Sequence, residues 1–158
     1  MALDITILVG TMTNTAQLVA QEVELTCDDN DTKLAVTYMD DLDAGAVKPG
    51  GLYLICSSTY GQGDVPDNAR ALYDSLCTTR PDLSGVHYGV IALGDRTYLQ
   101  TFCYGGKKFD AILTALGAQR IGEVCLHDAS EGTLPEEVCV EWARGWVEQA
   151  RQEVAVAQ

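Results

Sequence analysis

Short apolar runs alternate with stretches whose apolar residues recur at helical spacing along most of the chain. The first run, 5–9, ends at Gly10, and apolar residues at 18, 19 and 23 follow on one helix face, which predicts a strand, a tight loop and a helix. Further strands are predicted at 34–38, 52–56, 88–93 and 120–126. Further helices are predicted from near Pro66, around 109–116 and from near Pro135. Five strands alternating with five helical patterns, of which four are located above, indicate an open parallel α/β sheet joined by right-handed crossovers.

Length and charge limit the classes of protein to which this chain can belong. The 158 residues show no internal repeat and no linker, so we expect a single domain over residues 1–158. The 23 acidic and 10 basic residues give a formal net charge of −13, which disfavours nucleic acid and anionic membranes as partners. The first ten residues, MALDITILVG, lack the basic region of a signal peptide, and we therefore expect a cytoplasmic protein.

The cysteines, tryptophans and histidines are predicted to be mainly structural. Six cysteines occur without a C-x-x-C pair, and a reducing compartment would keep them as thiols. Cys56 and Cys125 lie in apolar runs and are expected in the core, whereas Cys103 lies near a proposed site and is a candidate reactive thiol. Trp142 and Trp146 share a helical stripe that indicates packing. The two histidines are too far apart in sequence to indicate a metal site, and none is expected.

Three unusual loops follow the first, third and fourth predicted strands. In a parallel sheet these loops gather at the carboxyl edge, where ligands bind. The first loop, GTMTNTA, places the hydroxyls of Thr11, Thr13 and Thr15 at the start of a helix, and the loop contains no lysine or arginine. Hydroxyls and unpaired helix N–H groups can together bind a single terminal phosphate through hydrogen bonds. A threonine-rich N-cap of an ordinary helix is the alternative interpretation.

The other two loops each carry a tyrosine beside glycine. The second reads SSTYGQGDVPDNA and contains Tyr60, and the third reads LGDRTY and contains Tyr98. Glycines permit close approach of the backbone, and two aromatic rings at neighbouring strand ends can enclose a flat ring system. The alternative is that one tyrosine lies on the rim with its hydroxyl in water.

These three segments, in this order, resemble the flavodoxins. The specific parts are GTMTNTA, STYGQGDVPDNA, and LGDRTY followed by FCYGGKKFDAILTALGAQRI. The chain is similar over essentially its whole length to short-chain flavodoxins of the MioC type and to the FMN domains of cytochrome P450 reductase and sulfite reductase. The resemblance implies a flavodoxin-like three-layer sandwich, with a five-stranded parallel sheet of order 2-1-3-4-5 and helices on both faces.

The resemblance also implies a set of FMN-contacting residues. The first loop would bind the phosphate, the second would line one side of the flavin ring, and the third would line the other, with Tyr60 and Tyr98 stacking on it. The implied cofactor-binding residues are Thr11, Met12, Thr13, Asn14, Thr15, Ser58, Thr59, Tyr60, Gly61, Gly63, Leu93, Gly94, Asp95, Tyr98, Phe102 and Cys103.

The function implied is that of an FMN-binding, single-electron carrier. Its donor would be a flavodoxin/ferredoxin-NADP reductase-like protein, and its acceptor a redox protein with a basic docking face, which the acidic chain would attract. A monomer is expected, with no catalytic residues of its own. Two alternatives remain open: a small FMN-dependent quinone or flavin reductase, and a cofactor-free interaction module on the same fold.

Overall fold

The computed structural model describes residues 3–10, 15–29, 32–40, 42–48, 51–57, 67–94, 104–128 and 134–157. The strands are β1 Leu3–Gly10, β2 Thr32–Tyr38, β3 Leu52–Ser57, β4 His87–Gly94, β5 Gln119–Arg120 and β6 Cys125–Asp128. The α-helices are α1 Thr15–Cys27, α2 Asp67–Thr79, α3 Tyr104–Ala115 and α4 Pro135–Ala157. No helix within these ranges is long and apolar enough to cross a bilayer.

The strands pair in parallel, in the order predicted. β2, β1, β3 and β4 are successive neighbours, and both β5 and β6 lie beside β4 on its other side. The predicted fifth strand is therefore divided into two segments. Gly122 has φ +71, a left-handed conformation that interrupts the strand between them and that glycine adopts without strain. The order 2-1-3-4-5 is confirmed, with β5 and β6 sharing the fifth position.

The sheet is covered on both faces, as its apolar strands predicted. Side chains alternate along β3, so that Tyr53 and Ile55 pack under α2 and α3 while Leu54 and Cys56 pack under α1 and α4. Every residue of β3 is buried. The continuous apolar run at 52–56 thus reflects a central strand between two helical layers, and the three-layer arrangement is confirmed.

The connection between β2 and β3 differs from the alternation expected. Its described part contains a single 3-10 turn at Ala44–Ala46, which begins where the Asp43 carboxylate accepts from the N–H of Gly45 at 2.9 Å. The segment is rich in aspartate and glycine and lacks a helical apolar stripe. The five expected helical segments are therefore found in the described ranges only if this turn is counted with the four α-helices.

Both tryptophans pack, as predicted. Trp146 is 2% exposed, lies over Gly89 of β4 and donates its indole N–H to the carbonyl of Ile121 at 3.1 Å. Trp142 stacks on Trp146 with ring centroids 6.2 Å apart and an interplanar angle of 19°. A Cβ at position 89 would lie 2.2 Å from the Trp146 indole nitrogen, so this contact requires glycine. The two rings attach α4 to the sheet and to the start of the β5–β6 connection.

A partly buried polar network joins β4 to α3. The Tyr88 hydroxyl lies 2.6 Å from a carboxylate oxygen of Asp110 and 2.6 Å from the hydroxyl of Thr114. Arg120 of β5 donates to the other Asp110 oxygen at 2.7 Å. Burial of the phenol, reinforced by its hydrogen bond to Asp110, raises the pKa of Tyr88. The network thus holds the beginnings of β4 and β5 against α3.

Carboxylates bind the outer edge of β2. Its N–H groups at Thr32, Leu34 and Val36 point away from β1 and donate to side chains from the end of α1 and the residues just after it. The acceptors are Asp29 at 2.8 Å, Asp28 at 3.0 Å and Glu24 at 3.3 Å, respectively. Backbone donors that a sheet edge leaves unpaired are therefore satisfied within the chain.

Candidate functional site

The carboxyl ends of the central strands meet at one edge of the sheet. Gly10 is paired in register with Ser57, and Ser57 with Ala92 on β4. Two residues further on, Gly94 is paired with Asp128 at the end of β6. Because the strands are parallel, the segments 11–14, 58–66, 95–103 and 129–133 all begin at this edge. The strand ends therefore meet as the three-loop prediction required.

The first of these segments begins at a tightly packed glycine. A Cβ at Gly10 would lie 3.0 Å from the Ala69 Cβ, 3.1 Å from the Met39 sulfur and 3.3 Å from the Ser57 hydroxyl. The backbone of β1 therefore approaches α2 more closely than a larger residue would allow. This contact fixes the point from which the threonine-rich loop leaves the sheet.

Asn68 stabilises the same strand end. The Asn68 side-chain amide donates to the carbonyl of Val9 at 3.2 Å and to the Asp40 carboxylate at 3.3 Å. The backbone N–H of Met39 also donates to the Val9 carbonyl, at 3.0 Å. Asn68 was not among the predicted site residues, although it lies in the quoted VPDNA segment. Its sequence signal is an amide side chain in the first turn of a helix that follows a glycine-rich loop.

The N-terminus of α1 lies at this edge and is suited to an anion. The helix starts at Thr15, runs for 13 residues and has no acidic residue in its first turn. Its first N–H groups have no partners within the helix and carry partial positive charge. Ala16 is fully buried, and its carbonyl lies 3.5 Å from the Cys56 sulfur, so the first turn is held against β3.

Three of the predicted contact residues fall within described ranges. Thr15 is the first residue of α1, and Leu93 and Gly94 end β4. Leu93 is 5% exposed and packs in the core on the α1 and α4 side, so its side chain belongs to the interior. The others lie outside the described residues: Thr11, Met12, Thr13, Asn14, Ser58, Thr59, Tyr60, Gly61, Gly63, Asp95, Tyr98, Phe102 and Cys103. Their contacts with a cofactor stay predictions.

The remaining sequence predictions near this edge concern two core cysteines and a histidine. Cys56 and Cys125 are 0% and 5% exposed, which confirms that both are core side chains. Burial raises the pKa of the Cys56 thiol well above its usual value, so this thiol stays protonated at neutral pH. His127 is 4% exposed at the end of β6 and is thus buried in the protein interior, as a structural role requires.

Comparison with known proteins decides the family. The family model described as Flavodoxin matches residues 7–142. The chain belongs to the flavodoxin family. Flavodoxin YqcA of Escherichia coli K12 is 39% identical over 143 residues, which cover 90% of this chain and 95% of YqcA. Protein MioC of the same organism is 34% identical over 147 residues, covering 91% of this flavodoxin and 96% of MioC.

A solved structure and a larger relative agree with this assignment. A cysteine-to-alanine mutant of flavodoxin from Pseudomonas aeruginosa matches with a TM-score of 0.82 at 29% identity, covering 93% of this chain and 98% of that one. The sulfite reductase [NADPH] flavoprotein alpha-component of Shewanella oneidensis is 36% identical over 118 residues, 74% of this chain but 19% of that protein. The predicted resemblance to stand-alone flavodoxins and to reductase domains is confirmed.

FMN is the cofactor of this flavodoxin, and the protein is an FMN-binding electron-transfer protein. The described part of the site fits the phosphate end of FMN. A closely packed glycine ends β1, and an α-helix without acidic residues in its first turn starts five residues later. An anion at that position would be bound by backbone N–H and hydroxyl donors.

Proposed function

We propose that this flavodoxin shuttles single electrons from a flavodoxin/ferredoxin-NADP reductase-like donor to a redox acceptor protein with a basic docking face. The meeting of the strand ends at one edge carries the proposal, because it brings the starts of all three cofactor segments together. We further propose that residues 1–158 form one FMN-binding domain that acts as a monomer in the cytoplasm, where a reducing environment keeps its cysteines as thiols.

In this proposal each segment has one task. Residues 11–15 bind the FMN phosphate, residues 58–63 line one face of the ring, and residues 93–98 line the other. Tyr60 and Tyr98 supply the stacking rings, and Phe102 and Cys103 lie beside the ring. Bound FMN supplies one-electron and two-electron redox chemistry. The chain's own part is to hold the ring, exclude water from its faces and present one edge to the partner.

The charge at the amino edge of the sheet supports a directional docking surface. There, acidic and basic residues lie close enough to pair: Lys33 is 3.6 Å from the Asp28 carboxylate, and Arg151 is 3.4 Å from that of Asp29. Opposite charges at such distances largely cancel beyond a Debye length, which is about 8 Å at physiological salt. These two pairs therefore contribute little net field at the amino edge.

The carboxyl edge carries an excess of acid. Asp40 is exposed just after β2, Asp128 ends β6, and Glu137 is exposed in the first turn of α4. The segments 58–66, 95–103 and 129–133 add three acidic residues and one arginine in sequence. Basic exceptions within the described ranges are Arg70, near the start of α2, and Lys107 and Lys108, near the start of α3. A basic partner would be drawn to this edge, which is also where the FMN segments begin.

The first test is cofactor binding. The purified protein, stripped of cofactor and titrated with FMN, is expected to quench flavin fluorescence at one equivalent and to acquire a structured flavin absorption band. Tyr60→Ala and Tyr98→Ala are each expected to weaken binding by about tenfold through lost stacking. Tyr38→Ala is the matched control, because Tyr38 is 37% exposed at the end of the edge strand β2. Failure to take up FMN would favour a cofactor-free interaction module.

The second test is electron transfer. With NADPH, a ferredoxin-NADP reductase and cytochrome c as the basic acceptor, FMN-loaded protein is expected to support cytochrome reduction. The association rate with cytochrome c should fall by about tenfold or more as ionic strength rises through the physiological range. A rate independent of salt would contradict acidic docking. Oxidation of NADPH by the FMN-loaded protein alone, with a quinone as acceptor, would instead identify a small reductase.

A further inference from the structure

Two buried thiols face each other between β6 and α4. The sulfur atoms of Cys125 and Cys139 are 3.8 Å apart, and the two residues are 5% and 0% exposed. Neither belongs to the segments assigned to FMN. We propose that Cys125 and Cys139 form a redox-modification site, which closes to a disulfide when the protein meets hydrogen peroxide or a related two-electron oxidant and reopens with a thiol reductant.

The geometry requires only a local change. Closing the bond brings the sulfurs from 3.8 Å to about 2.05 Å, so each sulfur has to move by about 1 Å. Cys125 is the first residue of β6, and Cys139 lies in the second turn of α4. No other side chain has to move from between the two sulfurs, because they are already in contact.

The two cysteines have different roles in the reaction. The Cys125 thiol donates to the Cys139 sulfur at 3.8 Å, and this contact lowers the pKa of Cys125, whereas burial raises the pKa of the neighbouring Cys56. Cys125 is also the more exposed of the two residues, at 5% against 0%, and lies on the short strand β6, so we assign its thiolate as the nucleophile and Cys139 as the resolving thiol. Cys56, whose sulfur lies 3.5 Å from the carbonyl of Ala16, remains reduced.

The step balances with peroxide as the oxidant. The Cys125 thiolate attacks one peroxide oxygen, the O–O bond breaks, and a sulfenic acid and hydroxide form. The Cys139 sulfur then attacks the Cys125 sulfur, the S–O bond breaks, and a second hydroxide leaves. The two thiol protons convert both hydroxides to water. Overall the two thiols lose two electrons and two protons, and one peroxide becomes two waters.

Access to these buried sulfurs comes from the sheet edge. β6 has four residues, and within the described ranges its one neighbouring strand is β4. Short edge segments open locally at lower cost than central strands do. A bond between Cys125 and Cys139 would close the segment 126–138 into a loop at the carboxyl edge, where the electron-transfer partner is proposed to dock. The disulfide would thus restrict the motion of the segment that borders the docking surface.

Intact-mass measurement tests the site directly. Folded, FMN-loaded protein treated with a small excess of hydrogen peroxide is expected to lose about 2 Da, the mass of two hydrogens, and to regain it with dithiothreitol. Peptide mapping after alkylation should place the link between Cys125 and Cys139. The same treatment in urea should give mixed linkages, because the native pairing is then lost.

Three variants complete the test. Cys139→Ser and Cys125→Ser are each expected to abolish the loss of 2 Da, and Cys139→Ser should leave a peroxide-derived adduct on Cys125 that dimedone traps. Cys77→Ser is the matched control, since Cys77 is half-buried in α2 on the opposite face of the sheet, and it should behave as the parent protein. Native wild-type protein that keeps its thiols under peroxide, or links other cysteines, would overturn the proposal whether or not either serine variant folds.

Discussion

Replacing Tyr88 with phenylalanine tests how much the partly buried polar network between β4 and α3 contributes to stability. The substitution removes one hydroxyl and leaves the ring, which is fully buried, in place. Lost with it are the 2.6 Å contacts to the Asp110 carboxylate and to the Thr114 hydroxyl. Asp110 keeps its ion pair with Arg120 at 2.7 Å, so the carboxylate is not left uncompensated.

The expected loss of stability is about 2 kcal/mol. A hydrogen bond to a charged group contributes roughly 1.5–3 kcal/mol. The Thr114 hydroxyl also loses its partner, but Thr114 is exposed, so a water molecule can take the place of the Tyr88 hydroxyl. For a chain of this size, about 2 kcal/mol corresponds to a fall of about 4–8 °C in Tm. Urea unfolding at pH 7 followed by circular dichroism measures the difference.

The pH dependence of the unfolding free energy provides a second test of this prediction. The pKa of Tyr88 is raised in the folded protein, whereas an unfolded tyrosine ionises near pH 10. Above pH 10 the unfolded state loses the proton first, and stability falls as pH rises. At pH 11 one such tyrosine lowers stability by about 1.4 kcal/mol. Tyr88→Phe lacks this loss, so its deficit should shrink from about 2 kcal/mol at pH 7 to less than 1 kcal/mol at pH 11.

Thr114→Val is the matched control for the alkaline effect. It removes a hydrogen bond of the same network but keeps the phenol, and that hydrogen bond lowers the pKa of Tyr88. The alkaline loss of stability should therefore persist in Thr114→Val and be absent only in Tyr88→Phe. An equal deficit for Tyr88→Phe at pH 7 and pH 11 would refute the reasoning, because the hydroxyl would then titrate alike in both states.

Three further predictions concern single positions. Gly89→Ala drives a methyl group into the indole ring that covers it and should cost about 3 kcal/mol in urea unfolding. Gly117→Ala should destabilise the protein by about 1 kcal/mol, because the φ of Gly117 is +102. Gly145→Ala, in a helix with open space around it, should stabilise the protein by about 0.5–1 kcal/mol. A change of stability in the same direction for both variants would contradict this. Asn68→Ala should weaken FMN binding about fivefold by loosening the end of β1, whereas Ser75→Ala, which removes one hydrogen bond at the other end of α2, should not.

The sequence predicted the fold correctly where a single pattern extends over a whole strand or helix. Continuous apolar strands with glycine after them required a sheet buried on both faces, and the order of the strands followed from the family resemblance. The start of α4 at Pro135 was predicted because proline suits the first turn of a helix. Motif spacing likewise located the edge at which the strand ends meet.

Long-range contacts were not predictable from the sequence. Nothing local to Asn68 indicates that its amide reaches a carbonyl 59 residues away, and nothing local to Gly89 indicates that an indole lies above it. The division of the fifth strand depends on the backbone of Gly122, which a short apolar pattern does not reveal. The alternation of strands and helices suggested a helix between β2 and β3 as well, but residues 39–51 lack a helical apolar stripe, and their described part contains only a 3-10 turn.

The carboxylates along the outer edge of β2 bear on how this flavodoxin behaves at high concentration. A sheet edge with vacant donors is a template on which the strand of another molecule can add. Here Glu24, Asp28 and Asp29 occupy those donors, and an incoming strand would have to displace three charged groups and meet their repulsion. The same three carboxylates that satisfy the edge of β2 therefore also oppose strand-by-strand polymerisation.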